Sequence, residues 1–305
     1  MMRYFLAAQA LRAFSISQTT KGIYRKLGNA VGSRGRARGL PSHYLRRANE
    51  NLRILEERQL IWDGAEAMEI GTGWAHWEAL FTRCFYDVSV IAMDVWDNRQ
   101  FSGFMRFASE LKERLGELGR TAEQVSRATE ILEKVALCES FDDVYRELSF
   151  RYVLGVEEAY KSVPSGTLDL IFSSDVLEHV PTSQVQSMLD EHYRMLRPGG
   201  VSGHQIVLTD HLRIYDRSVH PKNYLKFSER TWNLFYANDV QYINRLQMNN
   251  WSDLIKRQGF ELETIIRDRV DLSGIRISEQ FRTPAAEYLD VAVVNMIAHK
   301  PIEAS

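Results

Sequence analysis

The sequence is poor in cysteine: Cys84 and Cys138 are the only two in 305 residues, and neither belongs to a CxxC or Cys/His cluster. That excludes a disulfide framework and gives no zinc site, so no metal is assigned from the sequence. A reducing compartment fits, and cytoplasmic localisation is the expectation. No apolar run reaches the ~20 residues of a membrane span, so no transmembrane segment is expected. Neither charge dominates, with 38 Lys/Arg, 40 Asp/Glu and a formal net charge of -2. Internal repeats are also absent. What remains, 45% hydrophobic and 26% charged, is an ordinary globular composition. The length suits one large domain with extensions, or two modest ones.

One absence is local. Residues 1–49 contain ten Lys/Arg and no acid, which leaves 28 bases against 40 acids in the remainder. Three readings fit this segment. It resembles an organelle transit peptide; it suits a basic arm contacting a peripheral membrane surface or a protein; or it is a solvated helical extension on an acidic body. The stretch "SRGRARGLP" at 33–41 has the composition of a charged linker.

Residues 3–14 and 40–60 carry helical patterns, the second opened by Pro41-Ser42 with Leu45, Ala48, Leu52 and Leu55 at helical spacing. Short apolar strands are expected at 66–70, 88–95, 150–155, 168–175 and 201–208, with further strands at 260–268 and 288–300. Helices are expected from about His76 to Tyr86, through a block at 101–149, at 183–200 closed by Pro-Gly-Gly, and at 251–259. Strands alternating with helices give an α/β fold with a mostly parallel sheet.

The stretch "AMEIGTGWA" places Gly71 and Gly73 between the first strand and a helix. Glycine there lets the backbone approach a ligand and adopt positive φ. The following helix N-terminus directs donors to the same place. The second strand ends at Asp94, about twenty residues on, where a carboxylate suits two ribose hydroxyls. Nucleotide binding follows, with NAD and S-adenosylmethionine (AdoMet) both open. GxGxxG, which favours NAD, is missing, because the position three past Gly73 is His76.

Downstream, "LDLIFSSDVLEHVP" and "MLRPGGVSGHQI" provide Asp169, Ser173-Ser174, Leu177-Glu178-His179 and Leu196-Arg197-Pro198-Gly199-Gly200. Together with "EIGTGWA" they resemble the class I AdoMet-dependent methyltransferase family over about 65–210. The resemblance implies a Rossmann-like, seven-stranded, mostly parallel sheet with helices on both faces and an antiparallel last strand. It also implies AdoMet as cofactor, bound by Glu69, Gly71, Thr72, Gly73, Trp74, Asp94, Val95, Ser173 and Ser174. Two departures stand out. Ala75 replaces the third glycine of the first motif, and Val156 in "GVEEAY" occupies the usual adenine-side acid position. Either Glu157 substitutes there or that contact is lost.

Two histidines are candidate general bases: His179 in "LEHV", and His211, which follows the fifth strand in "LTDHLRIYD". Residues 209–250 mix aromatics (Tyr215, Tyr224, Phe227, Trp232, Tyr242) with polar residues (Asp216, Arg217, Asn223, Asn244, Arg245). They read either as a substrate lid or as a small subdomain with its own core. An acidic body and an insertion of mixed sign speak against nucleic acid as a partner. The expected organisation is a basic helical extension over 1–60 and an AdoMet-binding domain over 61–305, with a helical insertion at about 101–149 and a lid at about 209–250. The expected function is methylation of a small molecule, at oxygen. The rivals are a partner-binding subunit that keeps the fold without catalysis and an NAD(P)-linked oxidoreductase.

Overall fold

A computed structural model describes residues 2–36, 39–282 and 287–302. Helices α1 (Met2–Phe14), α2 (Gln18–Arg36) and α3 (Ser42–Glu57) precede β1 (Glu66–Ile70), α4 (Trp77–Phe85) and β2 (Ser89–Asp94). Then come α5 (Phe101–Arg114), α6 (Ala122–Val135), α7 (Phe141–Leu148), β3 (Phe150–Leu154), α8 (Val156–Lys161) and β4 (Leu168–Ser174). The chain continues through α9 (Thr182–Met195), β5 (Leu196–Val207), α10 (Glu229–Phe235), α11 (Met248–Arg257), β6 (Glu261–Arg269) and β7 (Val291–His299).

Among the described residues, seven strands form one sheet in the order β3-β2-β1-β4-β5-β7-β6. β1 runs parallel to β2 and β4, and β2 runs parallel to β3. The last strand is antiparallel. Gly199 N–H donates to Lys300 O, Lys300 N–H to Gly200 O and Leu208 N–H to Ala292 O, so numbers rise on β5 as they fall on β7. β1, β2 and β4 are short and largely apolar, as strands covered by helices on both faces are. Four of the five residues of β1 are buried.

The chain divides into two compact units. One comprises residues 29–174, 191–203 and 299–305. It holds β1 to β4 and the helices of the 101–149 block. The capping box of Thr121 and Gln124 opens α6, and the Ser140 hydroxyl accepts from Asp143 N–H to open α7. The block is packed onto the glycine turn: a Cβ on Gly103 of α5 would sit 2.6 Å from the Trp74 ring, and Phe107 meets that ring edge-on at 4.8 Å. Arg47 of the basic segment pairs with Glu78 at 2.8 Å.

The other unit comprises residues 1–28, 175–190 and 204–298. Its core joins Tyr4, Ala8 and Leu11 of α1 to Leu212, Tyr224, Leu225, Trp232, Tyr236 and Ile243. Residues 1–28 and 29–60 therefore belong to different units. The 209–250 insertion shares this apolar core with α1 and with Leu289. Arg245 is buried within it, donating to the carbonyls of Tyr224 and Phe227, with its guanidinium 4.9 Å from the Trp232 ring. Lys21 pairs with Asp239 at 2.7 Å, and Arg12 donates to the carbonyls of Asn233 and Ala237.

Three local expectations are corrected. Residues 33–36 continue helix α2 instead of forming a linker; positions 37 and 38 lie outside the described residues. Helix α9 ends at Met195, and "LRPGG" belongs to β5, where Gly199 and Gly200 exchange backbone hydrogen bonds with Lys300. Helix α11 starts at Met248, three residues early, because Gln247 and Asn250 close a reciprocal cap there. No described helix is long and apolar enough to cross a membrane.

Candidate functional site

The glycine turn is tied to the end of the neighbouring strand. Gly71 and Thr72 N–H both donate to Met93 O, at 2.8 and 3.0 Å. Gly71 and Gly73 have φ of +69° and +66°, a region costly for other residues. Gly73 N–H donates to Asp94 Oδ2 at 2.9 Å, and Val95 N–H to Asp94 Oδ1 at 2.7 Å. Each carboxylate oxygen retains acceptor capacity, since a carboxylate offers about four lone-pair sites. Burial pushes the Asp94 pKa up, while the backbone donors of Gly73, Val95 and Trp96 pull against it. A Cβ built on Gly73 meets nothing within 4 Å. A carboxylate and open space thus converge at the carboxyl end of β1, where open α/β sheets take ligands.

The other predicted residues divide. Glu69 is buried, accepts from the Thr72 hydroxyl at 2.5 Å, and burial pushes its pKa up to about 8. Thr72 Oγ1 also lies 2.8 Å from His76 Nδ1. Glu69 and Thr72 therefore shape the turn from inside. Trp74 packs on α5. Ser173 is buried, and Ser174 Oγ accepts from Asn51 Nδ2 at 3.0 Å. Glu157 is exposed and pairs with Lys161 at 2.6 Å, one turn along α8. Val95, Leu154 and Val156 are unusual in the opposite sense. They sit at the ends of β2 and β3, and these apolar side chains are 63%, 46% and 38% exposed.

Sequence reasoning missed His76. It caps α4 in the left-handed region, at φ 44°, and is fully buried. Its Nε2 is 2.9 Å from the Tyr145 hydroxyl, which lies 3.4 Å from Arg99 Nη1. Burial and the Arg99 charge hold the His76 pKa down to about 3, so the ring is neutral. Arg99 is clamped by Asp97 through two bonds of 2.9 and 2.7 Å and lies 4.3 Å over the Tyr152 ring. A polar residue directly after the glycine turn was the available signal; its partner 69 residues on was not readable.

In the other unit, His179 and His211 come together, with ring centroids 4.8 Å apart. His179 Nδ1 is 2.6 Å from Tyr242 O, so it carries the proton and donates. His211 Nε2 is 4.0 Å from Glu178 Oε1. Burial and the neighbouring His179 hold the His211 pKa down to about 4. Asp210 takes no part in this pair. It accepts from the Tyr4 hydroxyl at 2.6 Å and from Leu212 N–H at 3.0 Å.

The remaining motif residues serve the fold. Asp169 accepts from Glu66 N–H and pairs with Arg197 of "LRPGG".

Comparisons complete the picture. A family model described as "Methyltransferase domain" matches residues 42–265. No curated protein matches the chain in sequence. Among solved structures, phosphoethanolamine N-methyltransferase 2 of Haemonchus contortus is 16% identical, with a TM-score of 0.46, over 83% of this chain and 53% of that one. A SAM-dependent methyltransferase from Archaeoglobus fulgidus is 13% identical, with a TM-score of 0.43, over 82% of this chain and 92% of that one. The chain spans about half the length of the first of these, and 49% of the CurJ carbon methyltransferase. With a seven-stranded sheet in the order described and a family match over residues 42–265, the chain belongs to the methyltransferase-domain family, whose methyl donor is S-adenosylmethionine.

Proposed function

We propose that the protein transfers the methyl group of S-adenosylmethionine to an oxygen atom of a small-molecule acceptor. The observation that carries donor binding is the open space over Gly73, bounded by Asp94 and by backbone held at positive φ. In this reading Asp94 holds the ribose, and Gly71, Gly73 and Trp74 let the donor approach the turn. Glu69 and Thr72 keep that turn in shape. Ser173 and Ser174 complete the site at the end of β4. The exposed apolar side chains of Val95, Leu154 and Val156 suit the faces of an adenine ring, which replaces the acid contact that Glu157 does not offer.

Methyl transfer is an in-line displacement at the carbon on the sulfonium. The acceptor oxygen forms the new C–O bond as the C–S bond breaks, and S-adenosylhomocysteine leaves. Alignment is the main contribution of a protein to such a step. A hydroxyl acceptor must also lose a proton. His211, neutral at pH 7, is assigned that proton, with Glu178 at 4.0 Å to offset the imidazolium charge and His179 packed against it. The oxygen assignment rests on this pair.

The reading is tested by incubating the protein with methyl-labelled AdoMet and panels of phenolic, carboxylic and amine acceptors. Label on oxygen supports it. Label confined to nitrogen or carbon overturns the oxygen assignment. Tight AdoMet binding with no transfer to any acceptor favours the partner-binding subunit instead.

A further inference from the structure

Glu178, His179 and His211 place one ligand atom each within 4.8 Å of one another. His179 and His211 lie 32 positions apart, so the grouping comes from the fold. Three features make this a prepared donor set. His179 Nδ1 donates to Tyr242 O at 2.6 Å, so its Nε2 carries the lone pair. A carbonyl accepting from the far nitrogen is the usual support of a metal-bound imidazole, because it fixes both the tautomer and the ring orientation.

The peptide that carries Glu178 and His179 is also held. Asn244 N–H donates to Glu178 O at 2.8 Å, and Asn244 Nδ2 donates to the carbonyls of Leu177 and Val180 at 2.8 and 3.1 Å. His211 opens a 3-10 turn capped by Asp210, which is itself fixed by Tyr4. His179 is exposed, which gives an ion a way in.

We infer that Glu178, His179 and His211 form a binding site for a first-row divalent cation of the zinc class. Two imidazoles and one carboxylate are the donors of open catalytic zinc sites and of non-haem iron sites. Three protein ligands leave positions for water or for an oxygen of an acceptor. Bonds of about 2.0–2.1 Å require ligand atoms roughly 3.3 Å apart in a tetrahedral set, so metal binding draws the His211–Glu178 pair inward from 4.0 Å. A loaded ion takes the His211 lone pair, so the histidine acts as a base only in the metal-free protein. With an ion bound, the cation would lower the pKa of an acceptor hydroxyl held beside it, and the released proton would pass to water.

The test uses the full chain, free of any affinity tag and treated with chelator, titrated with Co2+ and followed by its visible ligand-field absorption. We expect bands that saturate at one equivalent and are displaced by Zn2+. His179→Ala and His211→Ala should each weaken Co2+ binding at least tenfold. His179 is exposed, so its variant is expected to fold; circular dichroism checks both variants. An absence of bands overturns the site, as does Co2+ affinity unchanged in folded His179→Ala. The readout involves no AdoMet and no methyl transfer, so its failure is separate from failure of the proposed reaction.

Discussion

The backbone N–H of Gly73 donates to Asp94 Oδ2 at 2.9 Å, joining the glycine turn to the end of the second strand across 21 positions of sequence. One carboxylate thus orders the turn and faces the space above it. Gly73→Ala probes that space. The protein can accommodate the methyl, since a Cβ there meets nothing within 4 Å, and the left-handed φ costs about 1–2 kcal/mol. We expect a modest fall in the denaturant midpoint and a loss of AdoMet affinity of at least tenfold. Unchanged affinity in the folded variant would mean that the donor does not lie over this turn.

Much of this was legible in sequence because it is local. "EAMEI" reads as a buried strand and is one at Glu66–Ile70. Gly71 and Gly73 are recognisable because the turn holds them at positive φ, and Asp94 because it ends the neighbouring strand and accepts from that turn. What was not legible is tertiary. "LRPGG" looks like a helix stop, and it becomes strand only because Lys300 of the distant C-terminal segment bonds to it. Tyr4 reads as one apolar residue of a helix, yet its hydroxyl finds Asp210, 206 positions away. His179 and His211 were each visible, but their approach to 4.8 Å between ring centroids was not. That Glu69 accepts from the Thr72 hydroxyl was not legible either, because sequence does not show which way a strand-end acid turns.

Glu69 gives a pH prediction. Burial raises its pKa from 4.5 to about 8 in the folded protein. Between those values the unfolded chain has released the proton and the folded chain keeps it. Its contribution to stability is complete below the unfolded pKa and is lost as pH rises through about 8. Glu69→Gln keeps an acceptor for the Thr72 hydroxyl and removes the titration. Relative to wild type, the variant should gain stability between about pH 5 and pH 8 in urea denaturation. Parallel profiles for the two proteins would contradict the assignment.

Tyr4 tests the docking of α1. Its ring packs with Phe227 and Tyr236, and its hydroxyl donates to the buried Asp210. Tyr4→Phe keeps the packing and removes one donor, at a cost of about 1–3 kcal/mol. An unfolding free energy within error of wild type would show that the bond adds nothing to the fold.

His211→Ala tests the proposed base. In metal-free protein, turnover should fall by about 10²–10⁴ with AdoMet affinity unchanged. Wild-type turnover should stay level from neutral pH down towards the His211 pKa of about 4 and fall below it, as the imidazole takes up its proton. Normal turnover in the variant removes the residue from the mechanism.

The account stands on Asp94 and the glycine turn gripping one nucleoside. Titration calorimetry of AdoMet into wild type and Asp94→Ala tests this most directly. We predict a single site in wild type and a loss of about 1–3 kcal/mol in the variant, the scale of hydrogen bonds to a charged group. Equal affinities in the two proteins, or no binding to wild type, would contradict it.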